Sequence, residues 1–284
     1  MQKRPGKMMT DETRTALAEQ PDSVPTSALT GRDQCSVTEI AKRLSADGLA
    51  YLSLRNWTEL LGTGPFARWR TLTESWDSLG PDIWMTDGGT YRRRNFATYA
   101  VEEESVIRKP HQAHRQSRRF NRLTGGMDRW FSPIEQSVGS HELILALLSG
   151  GRRIARRLTG HRARRWHAEV HQIRIQPNGC SPAFPTPEGL HRDGVVLVLM
   201  MLIARSNVRG GITLVVNSGS VEELQFDLSK PCEGLLLDDR KVLHEVSPVW
   251  ALDPCLPAHR DILFLTFRPD RKLNHQLPEE TRDG

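Results

Sequence analysis

Pro187-Glu188-Gly189-Leu190-His191-Arg192-Asp193-Gly194 runs straight into the most apolar segment of the chain, Val195 to Ala204. The apolar run is about half the roughly 20 residues that a membrane span needs, and it reads as a strand. An imidazole and a carboxylate two residues apart lie on one side of a strand or its exit. His191 and Asp193 would therefore sit at the mouth of whatever this strand helps to enclose.

Working outward, the same pattern repeats. His167 to Gln176, Ile212 to Val216, Val221 to Phe226, Gly234 to Leu237, Val242 to Val249 and Asp261 to Phe267 are short and mostly β-rich, with Pro, Gly, Asn and Asp between them. Seven such strands with no helix among them predict an antiparallel sandwich or jelly-roll barrel, mainly β with flanking α. Upstream the period is helical. Ser36-Val37-Thr38-Glu39 has the form of a capping box, Val37, Ile40, Ala41 and Leu44 make one apolar face, and Gly48 suits a left-handed cap. Leu49 to Leu54 reads as a strand, while Trp57 to Leu79 and Ser140 to Leu158 read as helices that should pack on one outer face of the β core. Arg152, Arg153, Arg156 and Arg157 are most simply a solvated helix face. The organisation expected is a mobile polar tail over 1–35, one domain over 36–275 and a polar tail over 276–284. Within the domain, 36–160 gives helical and strand support and 161–270 the β core.

Composition narrows the function classes. A net charge of +5 comes from arginines dispersed among acidic and apolar residues, with only three tyrosines for stacking, so no nucleic-acid partner is expected. Four distant cysteines (Cys35, Cys180, Cys232, Cys255) form no Cys-x-x-Cys pair and no disulfide framework. No secretory signal or membrane segment is visible, so the cytoplasm is the compartment expected.

The chemistry-bearing residues point the same way. A third donor to join His191 and Asp193 can come from His244, in a later strand, although a satisfied core histidine is the bland reading of that position. Two imidazoles and one carboxylate on one face of a metal, with the other positions open, suit Fe(II) used for oxygen chemistry. Arg260 stands just before the last strand, where closure of a barrel would bring it near the metal. Its guanidinium could pair bidentately with the distal carboxylate of a 2-oxo acid. Arg92 and Arg94 follow a glycine turn, either on an edge strand kept soluble by charge or facing a pocket. Arg174 shares a strand face with Gln172 and could meet a substrate carboxylate or pair with a structural Asp or Glu.

These residues carry a resemblance. VHQIR, PEGLHRDG, SNVRGG, LLLDDRKVLHEVSPV and HRDILFLTF, spread over about residues 167–270, resemble the small bacterial family of iron and 2-oxoglutarate dioxygenases typified by L-isoleucine 4-hydroxylase. Upstream, DGGTYRRRNF and RFNRLTGG resemble that family's arginine-rich strand and Gly-Gly segment more loosely. The resemblance implies a double-stranded β-helix (jelly-roll, cupin-like), with His191, Asp193 and His244 as iron ligands and Arg260 as the anchor for 2-oxoglutarate. Gln172 is a further candidate contact for 2-oxoglutarate, and Arg174, Arg92 and Arg94 are candidates for the substrate. One departure is Ile212, where the family often has a polar residue after Gly210-Gly211.

The implied activity oxidises an aliphatic C–H bond of a small free amino acid, with hydroxylation foremost and release of succinate and CO2. Fe(II), 2-oxoglutarate and O2 are required, with ascorbate in support. Desaturation or C–N ring closure of an amino acid is the alternative outcome. A cupin-like metal enzyme that uses no 2-oxo acid, and a non-catalytic regulator built on the barrel, are readings from other classes. Oligomeric state is not legible.

Overall fold

Ser36 begins the helical part as its sequence dictates, its hydroxyl accepting the Glu39 backbone N–H at 3.2 Å. The Glu39 carboxylate reaches Arg43 at 3.4 Å instead of closing the box. In this computed structural model residues 35–160, 163–218 and 223–270 are described, so all but Cys35 of the expected N-terminal tail, and the whole C-terminal tail, lie outside them. In chain order the helices are α1 (Val37–Asp47), α2 (Leu54–Leu61), α3 (Trp69–Glu74), α4 (Gln136–Gly139) and α5 (Glu142–Leu158). The helix expected over 57–79 is interrupted at Gly62-Thr63-Gly64-Pro65, where Gly62 has φ 81 and the proline removes a donor.

The strands are β1 (Leu49–Leu52), β2 (Arg92–Val101), β3 (Val106–Arg108), β4 (Ser132–Pro133), β5 (Trp166–Ile175), β6 (Leu197–Ser206), β7 (Val208–Gly210), β8 (Thr213–Asn217), β9 (Glu223–Phe226), β10 (Gly234–Asp238), β11 (Val242–Val246), β12 (Val249–Ala251) and β13 (His259–Pro269). The major sheet runs β1-β10-β6-β13-β5-β2-β3, with β4 beside β2. Facing it are the smaller β11-β8-β9 and β12-β7 sheets.

The apolar run of β6 is explained by burial on both faces. Leu197, Leu199, Met201 and Ile203 join a core with Leu143, Ile144, Leu147 and Leu148 of α5. Val198, Met200 and Leu202 point the other way, into a core shared with Val215, Phe226 and Val242 of the smaller sheet. Helices thus cover one face of the major sheet and a second sheet covers the other, which is the double-stranded β-helix expected. α5 lies so close to β13 that a Cβ on Gly151 would overlap the Phe267 ring. Arg152 departs from the solvated-face expectation. It is 4% exposed, because its position on α5 turns it towards the protein rather than outward.

Strand parity decides what faces the space between the sheets. On β2, Ala97, Tyr99 and Val101 meet the helical side, so Arg92, Arg94, Phe96 and Thr98 take the inner face. β2 pairs with β5 on one side and with β3 and β4 on the other, and Arg92 and Arg94 are buried. The edge-strand reading of these arginines therefore falls.

Candidate active site

A cavity of about 250 Å³ opens between the sheets, with His191, Asp193, His244, Arg260, Arg92 and Arg94 among its lining residues. Two backbone hydrogen bonds bring the histidines together. His191 N–H donates to the His244 carbonyl at 3.0 Å and His244 N–H to the His191 carbonyl at 2.9 Å. Their ring centroids are 4.5 Å apart. His244 Nε2 stands 3.6 Å from Asp193 Oδ2, and one donor atom from each of the three residues lies within 4.8 Å of the others.

Hydrogen bonds fix His191 and Asp193 individually, whereas His244 Nδ1 has no hydrogen-bond partner among the described residues. His191 Nδ1 is 2.8 Å from the Gly189 carbonyl, a contact that places the proton on Nδ1 and leaves the Nε2 lone pair for a metal. The loop entering β6 is held by the Asp239 carboxylate, which accepts N–H bonds from Asp193, Gly194 and Val195 at 2.7–2.9 Å. Gln116 Nε2 donates to Asp193 Oδ1 at 2.9 Å, whereas the buried Asp193 Oδ2 has no hydrogen-bond partner among the described residues. Burial pushes the Asp193 carboxyl up, and burial with the neighbouring His191 pushes His244 down to about 3. Two imidazoles and a carboxylate with a vacant inward oxygen are the donor set a hard-to-borderline divalent ion accepts, binding of which would displace any proton on His191.

A second group of possible ligands, His114, Glu169 and His171, lines the same cavity. Charge separates the two. Arg94 places Nε and Nη2 at 3.1 and 2.9 Å from His171 Nδ1, and Glu169 is contacted by the imidazoles of His114, His167 and His171. Burial would raise the Glu169 carboxyl, yet the three imidazoles hold it well below the usual range. A cation there would face Arg94 directly. The His191 group has no such neighbour within hydrogen-bonding distance.

Arg260 is 2% exposed, and its Nε and Nη2 have no hydrogen-bond partner among the described residues. Burial, with Arg205 nearby, lowers it to about 10. A buried guanidinium with its donors unmet is costly unless an anion completes it, so the residues fit the carboxylate of a 2-oxo acid. Gly211 (φ 73) permits the close turn beside it, since a Cβ there would stand 2.8 Å from Arg260 Cδ. Ile212 is not among the residues lining the cavity; its N–H donates to Ser247 Oγ at 3.0 Å.

Two sequence-level candidates face away. Gln172 donates to Ser75 Oγ at 2.7 Å, and Arg174 makes a two-pronged pair with Asp261 at 2.7 and 2.8 Å plus a contact with Asp77 at 2.9 Å. Both belong to the even positions of β5, with Ala168 and Val170, on the helical side. Arg174 is thus the structural ion pair rather than the carboxylate receptor, and Gln172 does not reach the cavity. Residues that sequence reasoning missed take their place. Gln116, Arg129, Glu169 and Glu188 all line the cavity. Gln116 and Arg129 lie in irregular segments without periodicity, so no pattern singled them out.

Fold and donor set together define a non-haem iron oxygenase with a pocket for a 2-oxo acid. The chain belongs to the 2OG-Fe dioxygenase family, whose profile matches residues 73–266 and so takes in every cavity residue named above. A crystal structure of a bsmA homolog from Methylobium petroleophilum PM1 is 35% identical, with a TM-score of 0.75 over 84% of this chain and 95% of that one. Over 104 residues the chain is 31% identical to 3(1)-hydroxy-L-isoleucine 4-dioxygenase of Pantoea ananatis (strain AJ13355), a match that takes in 36% of this chain and 42% of that relative's length. IDO from Bacillus thuringiensis shares the fold, with a TM-score of 0.68 at 22% identity over 83% of this chain and 100% of that one. The protein is a Fe(II)- and 2-oxoglutarate-dependent dioxygenase, and the readings without a 2-oxo acid or without catalysis fall away. Among the described residues no helix is long and apolar enough to cross a membrane.

Proposed function

We propose that the enzyme hydroxylates an aliphatic carbon of a small free amino acid, with His191, Asp193 and His244 holding the iron and Arg260 anchoring 2-oxoglutarate. The observation that carries the proposal is the pair of separate cationic poles in one cavity. Arg260 supplies one, and Arg94, without a carboxylate partner among the described residues, belongs to the other. Two carboxylated molecules can then be held at once, the co-substrate and the substrate. Arg92 contributes less to the second pole, because Asp82 already neutralises it at 2.6 Å. Glu188, beside His191 at 3.8 Å, is a carboxylate available to a substrate ammonium. The relative from Pantoea ananatis carries a hydroxylated isoleucine in its name, which supports an amino acid of that size.

Bound Fe(II), chelated by 2-oxoglutarate, would supply the oxidising power from dioxygen. The protein's share is positional. His191, Asp193 and His244 would hold the ion, Arg260 would set the direction of the co-substrate, and Met200, Ile262 and Phe264 line the cavity with apolar surface that would keep water from the reacting carbon.

The test is succinate release by enzyme supplied with Fe(II), ascorbate and 2-oxoglutarate, with each of the twenty common amino acids in turn. Stimulation by an aliphatic one, with a product that has gained one oxygen, is the expected result. A product lacking two hydrogens would identify desaturation or ring closure instead, and no stimulation by any of them would exclude the substrate class. Asp193→Ala should abolish Fe(II) binding measured anaerobically; retained binding would move the metal elsewhere.

A further inference from the structure

Arg94 and Arg129 stack on the same ring, their guanidinium carbons 4.4 and 5.6 Å from the centroid of Phe131. Both are buried, 8% and 3% exposed, and neither has a carboxylate partner among the described residues. Arg94 is satisfied by a neutral imidazole, and Arg129 Nε has no hydrogen-bond partner. Burial, with Arg129 and Arg92 nearby, lowers Arg94 to about 9, and burial with Arg92 nearby lowers Arg129. Arg174 and Arg92, by contrast, are neutralised within the fold by Asp261 and Asp82. Two unneutralised cations beside one ring make a seat for a single anion.

The seat is wired to the donor group. Arg129 Nη2 donates to Gln116 Oε1 at 2.7 Å, and Gln116 Nε2 donates to Asp193 Oδ1 at 2.9 Å. The Arg-Phe-Asn-Arg-Leu-Thr-Gly-Gly segment, residues 119–126, is built around this amide. Asn121 Nδ2 donates to Gln116 Oε1 at 3.3 Å and Gly126 N–H to its backbone carbonyl at 2.8 Å. Gly125 lets the turn close, since a Cβ there would overlap the Asn121 carbonyl and the Arg118 backbone. Phe120 lies against Gly194 next to Asp193.

We infer that Arg94 and Arg129 seat the carboxylate of the oxidised substrate, and that Gln116 is a positioning residue linking occupancy of that seat to the orientation of Asp193. The inference rests on the metal assignment proposed above. With Oδ1 held by Gln116, Oδ2 is the Asp193 oxygen left for a metal. An anion drawn to Arg129 competes with Gln116 Oε1 for the same guanidinium, so loading the seat changes the grip on Asp193.

The experiment uses enzyme loaded with Co(II) as a spectroscopic substitute for Fe(II) and with 2-oxoglutarate, so that Arg260 is engaged. Acetate is the probe, against chloride at equal ionic strength. Acetate should raise the thermal midpoint and shift the cobalt visible bands of the wild type. Arg129→Gln and Arg94→Gln should lose both responses, and Gln116→Met should keep the thermal rise and lose the band shift. Gln116→Met should also weaken Co(II) binding about 10- to 100-fold, the usual effect of removing an outer partner of a ligand. An equal thermal rise in both arginine variants, or none in the wild type, overturns the seat. A band shift that survives Arg129→Gln is direct coordination of acetate and overturns the link. Asp193→Ala that still binds Co(II) refutes the metal assignment itself, a separate failure.

Discussion

Arg260 and Arg174 stand on neighbouring paired strands and differ in what completes them. Arg174 already has its carboxylates within the fold, whereas the donors of Arg260 await one. Arg260→Gln should therefore raise the apparent dissociation constant for 2-oxoglutarate by about 10- to 100-fold, the worth of one charged hydrogen-bonded contact. Its stability without ligand should be at least that of the wild type. Titration of 2-oxoglutarate by its absorbance on the Fe(II) enzyme reads the first effect, and an unchanged affinity would displace the anchor. Arg174→Gln should do the reverse. It leaves the buried Asp261 with only His259, 3.7 Å away, which costs up to about 3–5 kcal/mol, with no change in KM for either substrate; urea denaturation alongside steady-state kinetics separates the two. The sequence shows that Gln172 and Arg174 share a face but not which face is the inner one. β5 carries polar and apolar residues on both sides, His167, Glu169 and His171 inward, Gln172 and Arg174 outward, so alternation gives no direction. That His191, Asp193, His244 and Arg260 could meet at one cavity was legible because two lie in one short turn and the others start or sit within strands whose boundaries the sequence marks. The pairing partner of Arg94, an imidazole 77 residues away, leaves no local trace.

Elements behave according to what they touch. The β6 strand and the flanking helices were readable from hydrophobic pattern, because burial is what produces the pattern. The break after α2 was concealed by apolar residues that keep their helical period across Gly62 to Pro65; Trp57 and Trp76 reach the same core from different elements. Close approach of α5 to β13 is a tertiary fact that only Gly151 hints at. Gly151→Ala should gain up to about 1 kcal/mol of helix propensity and lose about 1–3 kcal/mol to overpacking against Phe267. Net destabilisation in urea is expected, with the midpoint of Gly160→Ala, which meets no atom within 4 Å but has φ 66, as the comparison for strain without crowding. A Gly151→Ala protein as stable as the wild type would show that the helix can shift outward without cost.

At the level of the whole molecule, the imidazoles around Glu169 make stability depend on pH. Burial lowers His114, His167 and His171 below the ordinary imidazole range, and in His171 Arg94 adds to the effect. The unfolded chain accepts protons near pH 6.5 that the folded one refuses, so the unfolded state binds more protons and stability falls as pH drops below about 6.5. The slope is at most about 1.4 kcal/mol per pH unit for each histidine. Glu169, held low, continues the loss below about pH 4.3, where the unfolded carboxyl protonates and the folded one does not. Urea midpoints measured from pH 8 to about pH 5 should decline from near pH 6.5 downward, and a flat profile would mean that these imidazoles change their partners on protonation.

The reciprocal main-chain pairing of His191 with His244 has a consequence for how such an enzyme can change its habits. Both nitrogen donors are spaced by backbone between residues 187 and 246, whereas the arginine seat and its aromatic platform come from residues 92 to 131. On the proposed assignment the carboxylate seat would therefore be encoded apart from the two histidine donors, and it could be redesigned towards new molecules while they are left as they are.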